Sequence, residues 1–122
     1  MSPEEEIPCV TQIPLTYGDT GETVDPEKLL LIHKAIERQF LGFTPIATIL
    51  GGKWVDESDG RVVTEDQLRI EVWVARSRIP VFRRLVQAIG YETRHKQMFM
   101  SIPEARVERL DIKDADAGGL TL

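Results

Sequence analysis

Eight consecutive residues, Leu68 to Ala75, alternate without a break. Leu68, Ile70, Val72 and Val74 are aliphatic, and Arg69, Glu71, Trp73 and Ala75 stand between them. A period of two marks a pleated strand whose faces meet different surroundings. One face demands a core. The other carries two charges and an indole, so it is a wet binding face or a contact with another subunit. The surrounding stretch, Pro45 to Ile102, reads as strand, turn, strand, helix, strand.

The rest of the chain fits around that unit. Cys9, Thr11, Ile13, Leu15 and Tyr17 share one face of a first strand, Cys9–Tyr17. Pro8 and Pro14 remove ladder donors and suit an edge or a bulge. Asp25 is placed to cap a first helix, Pro26 suits its first position, and Glu27 favours its dipole. Leu29, Ile32, Ile36 and Phe40 then recur at helical spacing, and Gly42 offers a stop. The second strand runs from Ile46 to about Val55, with a bulge or bend at Gly51-Gly52. Asp56 to Gly60 is a turn cluster, across which Trp54 is expected to pack on Val62 or Val63. A second helix is predicted from Ile79 or Pro80 to Lys96, with Phe82, Leu85, Val86 and Ile89 as its stripe. Gly90 lies inside it, at a helix penalty of roughly 1 kcal/mol. The last strand is Gln97 to Ile102, ended by Pro103. Val107, Leu110 and Ile112 follow before the chain fades into Asp-Ala-Asp-Ala-Gly-Gly.

The order β-α-β-β-α-β predicts an α+β, ferredoxin-like domain: a four-stranded antiparallel sheet with two helices on one face. Residues 1–8 read as an acidic N-terminal arm, 9–112 as the single domain, and 113–122 as a flexible C-terminal tail.

Several short segments carry a resemblance. Tyr17-Gly18, the helix after it, Gly51-Gly52-Lys53-Trp54, Asp59-Gly60-Arg61-Val62-Val63-Thr64-Glu65 and Gln97-Met98-Phe99 resemble an uncharacterised family of small bacterial α+β domains. That family shows a Gly-X-Trp hairpin, a Gly-containing turn and an acid before the third strand. The resemblance spans about residues 11–102 and implies the ferredoxin-like fold. It implies no activity. Members often begin with a secretion or lipoprotein signal, which this sequence lacks.

Composition bounds the setting. Apolar residues make up 42% and charged residues 29%, ordinary values for a soluble globular chain. No run approaches the roughly 18 apolar residues of a membrane span. The acidic start, Met1 to Glu6, has neither the positive nor the apolar region of a secretory signal. The single cysteine, Cys9, has no partner for an internal disulfide. The expected location is therefore the cytoplasm. The net charge is −5, which opposes free nucleic acid as a main partner at long range. It hides an asymmetry. Residues 1–27 hold seven acids and no Lys or Arg, whereas 76–102 hold six Lys and Arg against the lone acid Glu92.

Two constellations stand out. On the polar face of the third strand, Arg69, Glu71 and Trp73 point the same way as Ile49 and Phe99 from neighbouring strands. Large apolar groups on one face are costly to leave in water. They predict either a homodimer with sheets packed face to face or a cleft for a flat organic ligand. Around the start of the second helix, Arg76, Arg78, Arg83 and Arg84 oppose the helix dipole. They predict an anion site, or pairing with acids of the N-terminal arm.

Catalytic signals are missing. No Gly-X-Ser-X-Gly or phosphate-loop pattern occurs, and Gly51-Gly52-Lys53 precedes strand residues instead of a helix. His33 and His95 have no metal-ligand spacing, and Cys9 reads as a small buried hydrophobe. No catalytic residue, metal or cofactor is assigned. The expected function is a non-catalytic binding or interaction module that self-associates through its sheet face, with a small organic or anionic ligand as a further partner. The alternative is a small dimeric α/β-barrel-type enzyme acting on an organic ligand near Trp73, with Glu71 or His33 as its acid–base group.

Overall fold

The computed structural model describes residues 4–103 and 106–121, with backbone alone at 106, 107 and 109. The elements in chain order are β1 (Glu6–Pro14), α1 (Pro26–Phe40), β2 (Thr44–Val55), β3 (Val62–Ala75), α2 (Ile79–Glu92), β4 (Gln97–Ile102) and β5 (Arg106–Asp111). The strands form one five-stranded antiparallel sheet in the order β2-β3-β1-β4-β5. The expected four-stranded ferredoxin-like sheet is therefore overturned. A fifth strand pairs with β4, from Gln97↔Asp111 to Ile102↔Arg106. Its alternation is masked in the sequence because Glu108 shares the helix-side face with Leu110. Glu108 sits there to accept two hydrogen bonds from Arg83 of α2, both at 2.8 Å. The Val107 side chain, residues 1–3 of the acidic arm and residue 122 of the tail lie outside the described residues.

Both helices cover one face of the sheet. Ile13, Ile70, Val72 and Val74 meet Ile32, Ile36, Phe82, Leu85 and Ile89 there, each fully buried. Burying each such side chain contributes about 1.5–3 kcal/mol. The rings of Phe40 and Phe82 join the two helices edge to face at 5.6 Å. Gly90 keeps its place in α2 because a Cβ there would lie 2.6 Å from Met98 Cγ and 3.0 Å from Ile112 Cδ1. The helix penalty of glycine is thus offset by close approach of α2 to the sheet.

The helix ends depart from expectation. α1 stops at Leu41, which takes the left-handed conformation itself at φ 64°, one residue before Gly42. α2 ends at Glu92, and Arg94 turns the chain at φ 58°. His95 and Lys96 therefore lie outside the helix and lead into β4. Residues 117–120 form a 3-10 turn that buries Leu120. Arg38 and Gln39 of α1 donate to the carbonyls of Leu120 and Gly119, each at 3.0 Å. Among the described residues no helix is long and apolar enough to cross a membrane.

Candidate functional site

The face opposite the helices is shaped by the unequal lengths of its strands. β3 pairs with β1 only as far as Pro14↔Gln67, yet its own residues extend back to Val62. Residues 62–66 and their β2 partners 52–55 therefore form an arm beyond the end of β1. The register shifts between Ile49 and Gly52, and Gly51 adopts φ +67°. A bulge of this kind bends the strand and raises its twist. The arm consequently swings across the end of β1 towards β4.

Its tip is tied down there. Asp56 accepts from Lys96 Nζ at 2.7 Å, and from the Ser58 amide and hydroxyl at 2.9 and 2.6 Å. The bond from Lys96, followed by those from Ser58, holds the Asp56 carboxyl well below the usual carboxylate range.

Beneath the arm lies a cavity of about 420 Å³, walled by Gln12, Pro14, Trp54, Val55, Glu57, Glu65, His95, Gln97, Met98 and Phe99. It continues into a wider hollow of about 640 Å³ over the sheet, to which Ile49, Lys53, Gln67 and Arg69 contribute. Gln12, Trp54, Glu65 and Phe99 border both. The narrow end thus carries Glu57 and His95, the wide end Lys53 and Arg69, and Glu65 stands between them.

Buried polar groups line the junction. His95 Nε2 donates to the Thr16 carbonyl at 2.9 Å, and Nδ1 lies 3.1 Å from Glu65 Oε2. Gly18 allows this packing, since a Cβ there would stand 2.3 Å from the Arg94 carbonyl oxygen and 2.9 Å from His95 Nδ1. The Gln67 amide donates to Glu65 Oε1 at 2.8 Å. Gln67 Oε1 is shielded from solvent and accepts no hydrogen bond among the described residues, whereas Glu65 Oε2 faces His95 Nδ1. Unmet buried acceptors are costly, and a ligand bringing N–H or O–H donors relieves that cost.

The structure separates the residues singled out from sequence. Ile49, Arg69 and Phe99 line the hollow. Glu71 and Trp73 continue along β3 away from it, Trp73 standing opposite Pro8 and 50% exposed. His33 belongs to α1 and meets the Phe43 ring edge-on at 5.2 Å. Neither Glu71 nor His33 borders the cavity or the hollow, so the acid–base role expected of one or the other has no geometry there.

The four arginines face separate neighbours. Arg76 lies 4.0 Å from Glu5. Arg78 donates to the Gln39 carbonyl at 2.6 Å and lies over the Phe40 ring at 4.6 Å. Arg83 is bidentate on Glu108, and Arg84 borders a polar hollow with Asp111, Asp114 and Asp116. Glu4 of the arm accepts from the Ser77 amide at 2.7 Å and its hydroxyl at 2.6 Å, bringing negative charge to the start of α2.

Trp54, Glu65, Gln67 and His95 are the site residues that the sequence did not assign to a site. The alternation past Leu68 back to Gln67 and Glu65 signalled two of them. Cys9 is fully buried, and burial pushes its thiol up, away from the reactive thiolate. Among the described residues no group of three or more His, Cys, Asp or Glu is placed to hold a metal ion.

No protein-family profile matches the sequence, and no curated protein matches it. Solved structures do share its backbone. A phage SAM lyase in complex with S-methyl-5′-thioadenosine is 14% identical, with a TM-score of 0.67 over 95% of this chain and 97% of its own. A phage SAM lyase in the apo state is 15% identical, with a TM-score of 0.52 over 89% and 91%. At these identities the likeness is one of fold: the chain is similar in architecture, nearly end to end, to the phage SAM lyase structures.

Proposed function

We propose that this chain binds a small organic ligand of the adenosine-thioether class in the cleft beneath the β2–β3 arm, and acts on it as an enzyme. One observation carries the reading. A fold shared nearly end to end with a lyase solved with S-methyl-5′-thioadenosine coincides with a cleft of about 420 Å³ that bears two aromatic rings and continues into a hollow bordered by the unmet acceptor of Gln67. That volume falls within the range of small-molecule sites. Trp54 and Phe99 offer surfaces for a flat base, and such stacking is worth about 1–3 kcal/mol. Glu65 and Gln67 suit the amino or hydroxyl donors of a nucleoside. The carboxylates of Glu57 and Glu65, the latter facing His95, border the narrow end, and carboxylates favour a sulfonium cation such as S-adenosylmethionine. Releasing S-methyl-5′-thioadenosine from that cation breaks the bond between sulfur and the amino-acid carbon: the electron pair stays on sulfur, and the substrate's own carboxylate oxygen bonds to that carbon in its place, closing a lactone with no other reactant. The protein's part is to bind and orient. The expectation of a non-catalytic module has less support, because both structural neighbours are described as lyases.

The test pairs calorimetry with chromatography. The protein should bind S-methyl-5′-thioadenosine and release it from S-adenosylmethionine, and Trp54→Ala with Glu65→Gln should abolish both. Absence of binding and of release in the wild type would sink the reading.

A second reading concerns assembly. Ile46, Val55, Val62 and Trp73 are 49%, 56%, 59% and 50% exposed along the hairpin and open face. This apolar surface supports self-association through that face, alongside ligand binding.

A further inference from the structure

We propose that the outer part of the β2–β3 hairpin, residues 53–65, is a flap that lifts at Gly51-Gly52 when Lys96 parts from Asp56, and that the ligand enters beneath it. The inference rests on the reading of the cleft as a ligand site and adds how that site opens.

Three features of the arm carry it. The first is a pivot. The β2–β3 register breaks between Ile49 and Gly52, and Gly51 holds a left-handed conformation at φ +67°. Directly across, Asp66 anchors the root: its Oδ1 accepts from the Gly51 amide at 2.8 Å, and its carbonyl accepts from the Leu15 amide at 2.8 Å. Beyond Asp66 the arm has lost β1 as a neighbour, since that pairing ends at Pro14↔Gln67. It keeps only its own two strands, and a lone hairpin is marginal in water.

The second is a clasp. Asp56 sits in the tip with 6% of its side chain exposed, whereas the Lys96 side chain is 60% exposed. An exposed ammonium is screened by salt and holds weakly, so the clasp is built to release. Lys96 also donates to the Ser58 hydroxyl at 3.4 Å, and nearer the root Glu65 faces His95 at 3.1 Å.

The third is the seal. Gln67 Oε1 borders the hollow yet is shielded from solvent. A ligand donor reaches it only if the arm moves. Closure over a bound ligand then gives that acceptor the partner it lacks, so ligand and clasp favour the same closed state.

The experiment uses the full chain, with Trp73→Phe so that Trp54 reports the arm alone. In Lys96→Met, amide exchange at 53–55 and 62–65 should quicken by about tenfold, with β1 and the inner half of β3 unchanged. Added salt should do the same to the wild type and little to Lys96→Met. A second variant, Asp56→Cys with Lys96→Cys, is joined by a short bifunctional thiol reagent; Cys9 is fully buried and out of its reach. Cross-linking should slow association of S-methyl-5′-thioadenosine by about tenfold or more relative to the unlinked double variant. Association at the unlinked rate after cross-linking, or arm amides indifferent to Lys96→Met, overturns the flap. If the wild type binds no S-methyl-5′-thioadenosine, the ligand reading fails, and the exchange data alone decide whether the arm lifts.

Discussion

The two faces of this sheet are built on opposite terms. On the helix face, Ile13, Ile70, Val72 and Leu85 have no exposed surface, and their packing needs no outside partner. On the open face, Trp73 and Phe99 are 50% and 37% exposed, a long arm leans over a cleft, and the buried Gln67 Oε1 lacks a donor. The same strands serve both. β3 sends Ile70, Val72 and Val74 into the core and turns Glu65, Gln67 and Arg69 to the cleft. Stability is concentrated on one side and recognition on the other, so a residue's face should decide what its loss does.

The largest expected effect breaks the closed face. Phe82→Ala removes a fully buried ring packed on Phe40 and should cost about 3–5 kcal/mol in urea unfolding. Phe99→Ala, on the open face, should cost less than about 1 kcal/mol. Equal costs would mean that the open face is covered and that the contrast drawn above is false.

Trp54→Ala tests the other side of the contrast. Its ring is partly exposed and pairs across the hairpin with Val63. Affinity for S-methyl-5′-thioadenosine should fall by about ten- to a hundredfold, the loss of one stacking contact worth about 1–3 kcal/mol. The melting temperature should shift far less than in Phe82→Ala. A large stability loss with unchanged affinity would return Trp54 to the role of a packing residue.

The helix face was the more legible of the two in the sequence, for a physical reason. Core positions repeat, so the periods of Leu68–Val74 and of Leu29, Ile32, Ile36 and Phe40 located β3 and α1. β5 was not legible, because Glu108 on its inner face serves Arg83 and breaks the apolar alternation. The cleft was half legible. Arg69, Ile49 and Phe99 followed from strand parity, and all three line the hollow. His95 and Trp54 depend on where α2 ends and how far the arm bends. Those are set by Arg94 at φ 58° and Gly51 at φ +67°, single-residue conformations that no periodicity announces.

A smaller effect concerns assembly. Trp73→Glu places a charge on the half-exposed end of the open face and should convert any self-associated form to monomer in light scattering. An unchanged oligomeric state in the variant, or a wild-type monomer at micromolar concentration, removes that reading and leaves the cleft untouched.

The smallest effect is one of pH. The Asp56 carboxyl titrates lower in the folded chain than in the unfolded one, because Lys96 and Ser58 bond its charged form. Its contribution to stability is therefore present above the ordinary carboxylate range and fades as pH falls through that range and below it. Trp54 fluorescence in Trp73→Phe protein should report loosening of the arm at a pH where far-UV circular dichroism still shows intact helices. Coincident transitions would mean that the arm and the core open together.

The central claim is that the open face, beneath the arm, is where the ligand sits. Amide NMR spectra of isotope-labelled protein, recorded while S-methyl-5′-thioadenosine is added, test it most directly. The account predicts shifts concentrated at Gln12, Trp54, Glu65, Gln67, Gln97 and Phe99, with Ile32, Ile36 and Leu85 on the helix face unmoved. Saturable shifts confined to the helix face, or to the arginines at the start of α2, would contradict it, as would spectra that do not change at all.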